Sequence, residues 1–357
     1  MDRVLMGYMD ELFAQRKHFI NTFYANKQSV LDNRNRLIAC AYQLAKQQHP
    51  VFSNPNADTV LLLLTNDKTY SQSQLFLLLQ LYIRVYQNDN LVLDALYQQP
   101  ESRLQVIAPQ LALIQHIDDH PLSALFNERL LNNQLLVRYY QQQFGQISSF
   151  FTAHRDDVSF LTRLYLQVLN SLGASTTLLL DDFIANDYLA SELFEIYVVS
   201  LPEKSLLALV NQLSVDTVYI QLIIKVMGLS GYSRFIPFLA RYLQDKTHTL
   251  NAYHSLRILL GEKLDLLIPN AIQFNSDEAQ RIDDLSYYGA KILHHWDESI
   301  LPNIGTHLLA GLPINNNNLD VVLNTGSQVH RRVAALHKTQ FPNNGAVFYY
   351  SRPEVVL

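Results

Sequence analysis

Ser230 has the neighbourhood that comes nearest to a catalytic motif. It stands between Gly228 and Gly231 in the run Gly-Leu-Ser-Gly-Tyr. A nucleophile elbow needs Gly-x-Ser-x-Gly on a turn from a strand into a helix, where the strained backbone exposes the hydroxyl. Here Tyr232 takes the place of the last glycine, and the preceding VYIQLIIKVMG has helical spacing. We therefore predict that Gly228 ends one helix and that Gly231 permits the turn into the next.

Two groups of histidines offer a second kind of chemistry. His116 and His120 are four residues apart, which on a helix would place both imidazoles on one face, but a zinc site needs further ligands. A polar turn between helices is the simpler interpretation. The run His294–Asp297 holds two imidazoles, the one tryptophan of the chain and a carboxylate. Both catalysis and the anchoring of Trp296 in a core or interface fit this run, and anchoring is the commoner role of such a tryptophan.

The acidic residues and glycines point away from the common catalytic motifs. Pairs of adjacent aspartates occur at 156–157, 181–182 and 283–284, where the pattern predicts helix ends or turns. Carboxylates at such positions bind exposed N–H groups and complement the helix dipole, so we assign them no acid–base role. The chain has no Gly-x-Gly, no P-loop and no His-Glu-x-x-His. We therefore predict no cofactor, no metal and no catalytic residue.

Composition narrows the classes of protein and the compartment. The chain has 357 residues, a net charge of −5 and one cysteine, Cys40. A single cysteine excludes an intrachain disulfide and a cage of several thiolates, which fits a reducing, cytoplasmic compartment. The first residues do not resemble a secretory signal, and no uncharged apolar run is long enough to predict a membrane span. The acidic balance argues against nucleic acid as the main partner.

Repeated helix pairs dominate the middle of the chain. From about residue 90 to 261, a short apolar run and a longer one recur about every 30 residues, each with helical spacing. One pair, SRFIPFLARYLQD and then TLNAYHSLRILLG, ends at Gly261 as its C-cap. A single helix pair cannot bury its apolar face alone, so a period of this size predicts a solenoid.

The predicted fold is therefore all-α, a right-handed α-solenoid of HEAT-like helix pairs. We place a helical N-terminal cap at 1–58, the repeats at 59–261, and an irregular C-terminal capping region with a final helix and extended tail at 262–357. The segment IQFNSDEAQRIDD in that last region is polar and predicts a loop.

In α-solenoids the second helices of successive pairs usually line the binding surface. Tyrosine and arginine recur there and are enriched at binding hot spots, although any one tyrosine is as readily a core residue. The candidate binding residues are Arg138, Tyr139, Arg163, Tyr188, Gln221, Lys225, His254 and Arg257.

The C-terminal quarter carries motifs of a known kind. Trp296 is followed by LPNIGTHLLAGLP at 301–313, VLNTGSQVHRRVAALHKTQFP at 322–342 and GAVFYYSRP at 345–353. This order resembles the C-terminal signature of proteobacterial HEAT-repeat proteins of unknown biochemical role that are associated with type VI secretion. The matching positions are Gly305, Leu308, Leu309, Gly311, Pro313, Gly326, Gln328, Arg331, Arg332, Ala334, Ala335, Leu336, Phe348, Arg352 and Pro353.

The resemblance implies a cytoplasmic adaptor whose protein partner is a secretion-system spike, an effector or an effector chaperone. It supplies no catalytic residue. We therefore expect a non-enzymatic protein-binding scaffold. The alternative is an enzyme or small-ligand-binding module on a HEAT-like scaffold. For this alternative, His294–Asp297 is the one candidate active or ligand-binding site in the sequence.

Overall fold

The computed structural model describes residues 2–66, 69–86, 89–98, 108, 111, 128–154, 157–170, 179–295 and 306–341. These residues are mostly helical, with one pair of two-residue strands, so the predicted all-α class is confirmed. Within these ranges, no helix combines the length and the apolarity that crossing a bilayer requires.

The described residues form two compact units. The first comprises those up to Asn170 together with Ser327–Arg332, and the second comprises those from 179 to Gly326 together with 333–341. The boundaries at 58 and 261 that we drew from the sequence stay predictions.

The described part of the first unit has eight helices up to Asn170. Two of them show why they begin where they do. The Asn26 side chain accepts the N–H of Ser29 at 3.1 Å, which caps α2. Ser71 and Gln74 form a capping box at the start of α4, each side chain accepting the other's backbone N–H. The eight helices are α1 Asp2–Ile20, α2 Lys27–Lys46, α3 Ala57–Asn66, α4 Gln72–Tyr86, α5 Asp89–Gln98, α6 Glu128–Tyr140, α7 Phe144–His154 and α8 Phe160–Asn170.

The second unit continues with seven helices up to His295, a hairpin and another helix. The seven are α9 Leu180–Ala185, α10 Glu192–Ser200, α11 Glu203–Leu213, α12 Ile220–Ser230, α13 Ile236–Leu243, α14 Thr249–Leu260 and α15 Glu278–His295. Short 3-10 helices occur at Thr217–Tyr219, Ser233–Phe235, Gly261–Leu266 and Asn270–Phe274. The strands β1 Leu308–Leu309 and β2 Leu312–Pro313 pair antiparallel and are followed by α16 Asn316–Thr325. The last helix of the described residues, α17, spans Gln328–Lys338, of which the part up to Arg332 belongs to the first unit.

Close backbone packing joins the helices of the second unit. Helix α12 packs against α10 and α14, and α13 packs against α14 and α15. A Cβ on Gly228 would lie 2.6 Å from that of Ser255, and a Cβ on Gly289 would lie 2.6 Å from the carbonyl oxygen of Ala240. The missing side chains therefore let α12 approach α14 and let α15 approach α13.

Three predictions about helix ends can be compared with these bounds. Gly261 is the C-cap of α14, with a left-handed φ of 55°, as the sequence predicted. The prediction of a loop over IQFNSDEAQRIDD was wrong in its second half, because α15 begins at Glu278 and contains Asp283 and Asp284. Asp181 and Asp182 do lie in the first turn of α9, where their carboxylates complement the helix dipole.

Candidate functional site

The turn around Ser230 has the geometry of a helix end. Helix α12 runs through Gly228 to Ser230, so our prediction that Gly228 ends it was wrong. Gly231, with φ 81°, is the C-cap and turns the chain toward α13. The Ser230 side chain is buried, and its hydroxyl donates to the Met227 carbonyl at 2.9 Å. Within the described part of the chain, no imidazole or carboxylate hydrogen-bonds this hydroxyl, so Ser230 is not arranged as a nucleophile.

A short hairpin covers the C-terminal ends of two helices. The last carbonyls of an α-helix have no partner within the helix. Here the N–H of Leu308 donates to the Gly231 carbonyl at 2.7 Å, while the N–H groups of Ala310 and Gly311 donate to Ile258 and Leu259 at 2.8 Å each. Because residues 308–311 reach the C-terminal ends of both helices, these two ends lie side by side and α12 and α14 run parallel.

Two imidazoles complete the capping of α12. Nε2 of His307 lies 2.6 Å from the Ser230 carbonyl oxygen, and Nε2 of His337 lies 2.8 Å from that of Leu229. A carbonyl oxygen only accepts, so each Nε2 carries the proton and donates it. The two rings meet edge to face with centroids 5.2 Å apart. We call these residues the histidine clasp.

The clasp is held in its neutral form. Burial, together with a smaller contribution from the neighbouring His307, lowers the pKa of His337 from 6.5 to about 3, against an opposing contribution from its hydrogen bond to Leu229. Burial also lowers the pKa of His307, against opposing contributions from its hydrogen bond to Ser230 and from the Glu203 carboxylate. Tyr232 stacks on the His307 ring at 4.5 Å, and burial raises the pKa of its phenol. Glu203 is itself paired with Arg234 at 2.7 Å.

Shifted pKa values in one cluster are found at functional sites and also in purely structural networks. In the clasp, the proton-bearing nitrogens donate their hydrogen bonds to helix carbonyls. Within the described residues, no activated nucleophile lies beside them. The arrangement is therefore suited to fastening the hairpin and α17 to the end of α12. Sequence reasoning missed both histidines, although His337 lies four residues after the buried Val333 on an apolar helix face.

Three of the candidate binding residues lie on an exposed face of the second unit. Gln221 and Lys225 are exposed on α12, and His254 is exposed on α14 beside the exposed Asn251. The remaining positions from Ile223 to the end of α12 are buried, as are nearly all other positions of α14. We call Gln221, Lys225, Asn251 and His254 the helix strip.

The neighbours of the helix strip fix part of its geometry. The Lys225 ammonium lies 2.8 Å from a carboxylate oxygen of Glu195, which is buried on α10. Tyr188 is half-buried on the turn before α10. Arg257 is buried instead, since its guanidinium binds Asp265 at 2.5 Å and the Gly261 carbonyl at 3.1 Å. This ion pair covers the end of α14, and the buried Arg257 guanidinium is inaccessible to a partner.

The three candidates in the first unit are more enclosed. Tyr139 is buried on α6, where its ring meets Tyr140 and Phe144 edge to face. Arg138 is half-buried and donates to Gln143 at 2.9 Å. Arg163 is half-buried on α8. Tyrosine at such a spacing is here a core residue, which was the other interpretation of this pattern.

The histidine groups singled out in the sequence are only partly described. His294 is exposed and His295 half-buried on the last turn of α15, with ring centroids 5.3 Å apart. Trp296 and Asp297 lie outside the described residues, as do His116 and His120. Among the residues that are described, no three histidine, cysteine or acidic side chains are placed to hold a metal ion.

No protein-family model, curated protein or solved structure matches this chain.

Proposed function

We propose that this protein is a non-enzymatic protein-binding scaffold, built as a right-handed solenoid of HEAT-like helix pairs between a helical N-terminal cap and an irregular C-terminal cap. The helix strip is the observation that carries the proposal. Gln221 and Lys225 on α12 and Asn251 and His254 on α14 are exposed on two parallel, adjacent helices whose other faces are largely buried.

The physical argument for protein recognition is pre-organisation. The strip residues project from helices that are packed on several sides, so binding would cost little backbone entropy. The ion pair with Glu195 restricts Lys225 as well. The strip has exposed amide, ammonium and imidazole groups on two adjacent helices, which suits a polar peptide or protein surface. Helix pairs stacked in this way present such surfaces in α-solenoids.

The resemblance of the C-terminal motifs adds a cellular context to the proposal. It favours a cytoplasmic adaptor in type VI secretion, with a spike, effector or effector chaperone as the protein partner. The acidic net charge of −5 supports a protein partner over nucleic acid.

Charge insertion on the strip tests the proposal. Gln221→Arg and Asn251→Arg place a long cation at exposed positions and leave the packing of α12 and α14 intact. Asn211→Arg, at an exposed position on α11, is the matched control. Tagged variants would be used to capture partners from native cells, with quantitative mass spectrometry as the readout. We expect the strip variants to lose a partner by about tenfold or more while Asn211→Arg retains it.

Equal recovery of every partner by Gln221→Arg, Asn251→Arg and Asn211→Arg would contradict the strip as the binding surface. If no protein is recovered and a small molecule stays with the purified chain, the ligand-binding alternative replaces the scaffold.

A further inference from the structure

A cleft of about 550 Å³ opens in the first unit between the middle of α1 and the start of α4. This volume lies within the range of small-molecule sites. The cleft is remote in sequence from the helix strip and plays no part in the proposed protein binding, so its role is a separate question.

One side of the cleft is apolar. Phe13 and Leu77 are buried and form its wall, and the half-buried Ile20 extends it along α1. Ala14 is exposed at its surface, and its small side chain leaves the space open. Removing an apolar ligand body from water against this wall would supply a non-directional contribution to affinity.

The other side carries two cations. Arg16, which is 2% exposed, lines the cleft, and its Nη1 donates to the Asn33 side chain at 3.4 Å. Asn33 is held in turn by a 2.9 Å hydrogen bond to the Leu12 carbonyl, so the guanidinium is fixed from behind by α2. Lys17 follows at the edge of the cleft. The lining holds one carboxylate, Asp10, against the two cations, so the formal charge of the lining is positive.

Two groups of the cleft are available to a ligand. Within the described part of the chain, the Lys17 ammonium makes no ion pair and the Ser73 hydroxyl makes no hydrogen bond. At the start of α4, the N–H groups of Ser71 and Gln74 are already bound in their capping box. Attraction for an anion therefore comes from the side chains of Lys17 and Ser73.

We propose that this cleft binds a small amphiphilic molecule with one anionic head and an apolar body. The head, a carboxylate or a phosphate monoester, would lie against Lys17 and Ser73 with Arg16 behind them. The body would lie against Phe13 and Leu77. The positive charge of the cleft selects an anionic head, and its apolar wall selects an apolar body.

Calorimetric titration of the full chain with three eight-carbon probes tests both parts of the proposal. Octanoate, octan-1-ol and octylammonium share one apolar chain and differ in head charge. We expect saturable binding of octanoate, binding of octan-1-ol weaker by about fivefold or more, and no binding of octylammonium. Inorganic phosphate, added alone as a competitor, should displace octanoate only weakly because it lacks the apolar body.

Single substitutions then assign the binding to this cleft. Lys17→Ala should weaken octanoate binding by about fivefold, whereas Lys27→Ala, at an exposed lysine on α2 outside the cleft lining, should leave it unchanged. Ala14→Trp fills the cleft from an exposed position and should abolish binding without disturbing the core.

The proposal is overturned if octanoate shows no saturable binding, or if all three probes bind equally. It is also overturned if Ala14→Trp binds as wild type does, or if Lys17→Ala and Lys27→Ala behave alike. Full displacement by inorganic phosphate would overturn the amphiphile and leave a simple anion site. None of these results bears on the helix strip, because no strip residue is altered.

Discussion

The histidine clasp predicts a specific sensitivity to acid. In the folded chain the pKa of His337 is about 3, while the unfolded chain has the ordinary value of 6.5. Between these values the unfolded chain binds a proton that the folded chain does not. The free energy of unfolding therefore falls as the pH falls through this window, and the full contribution of the neutral imidazole is present above pH 6.5.

The size of the loss follows from the same values. At pH 5 the solution lies about 1.5 units below the unfolded pKa, and each unit is worth about 1.36 kcal/mol, so the loss relative to pH 8 is about 2 kcal/mol. This value holds for any folded pKa below about 4.5, so it does not depend on the exact shift. The pKa of His307 is lowered too, so its titration acts in the same direction.

The change to make is His337→Gln. A glutamine amide can donate to the Leu229 carbonyl as the imidazole Nε2 does, but it does not titrate. We expect the variant to lose about 2 kcal/mol less than wild type between pH 8 and pH 5. His254→Gln, at an exposed position, is the control and should keep the wild-type acid sensitivity.

Hydrogen exchange of the Leu308 and Ala310 amides, corrected for the intrinsic rate at each pH, is the appropriate assay. These amides donate to the ends of α12 and α14, so their protection reports opening of the hairpin itself. A global unfolding curve is less suitable because two compact units need not unfold together. The same loss of protection on acidification in wild type and His337→Gln would refute the reasoning.

Two further predictions concern backbone positions, and amide hydrogen exchange within the unit that carries each change checks both. Gly228→Ala places a Cβ against Ser255 and should destabilise the fold by about 1–3 kcal/mol. Gly7→Ala, in an open position on α1, should instead stabilise the fold by about 0.5–1 kcal/mol. Destabilisation by both substitutions would contradict the close packing of α12 against α14. Ala310→Gly relieves a left-handed φ of 52° and should stabilise the hairpin by a few tenths to about 1 kcal/mol. Gly311→Ala should destabilise the hairpin, because the residue has a φ of 77° and its new Cβ would lie 2.7 Å from the Leu260 carbonyl oxygen. Effects of the same sign would show that the backbone of the turn is not strained at Ala310.

Local features of the sequence determined the class of fold and several helix ends. Apolar spacing of three and four residues specifies helices because only that period places such side chains on one face. Gly231 and Gly261 end helices because a positive φ carries little cost for glycine. The departure from Gly-x-Ser-x-Gly at Tyr232 was enough to argue against a nucleophile elbow, but the sequence ended the helix at Gly228, whereas α12 continues through Ser230 to its C-cap Gly231.

Periodicity failed where polar residues lie within an element. Asp283 and Asp284 suggested a helix end, yet they lie in the middle of α15, where the helix is long enough to carry a polar face. Tyr139 and Arg257 are of residue types that are enriched at binding surfaces. Tertiary packing buries Tyr139, however, and Arg257 is buried in an ion pair with Asp265.

The clasp and the cleft were decided by tertiary structure alone. His337 meets a carbonyl 108 positions away, and the cleft brings α1 to the start of α4. No local pattern encodes such pairs, because whether a polar side chain is buried or exposed depends on which distant group supplies its hydrogen bond. A sequence states which face of a helix is apolar, and the partner that satisfies each buried donor is fixed only when the helices pack.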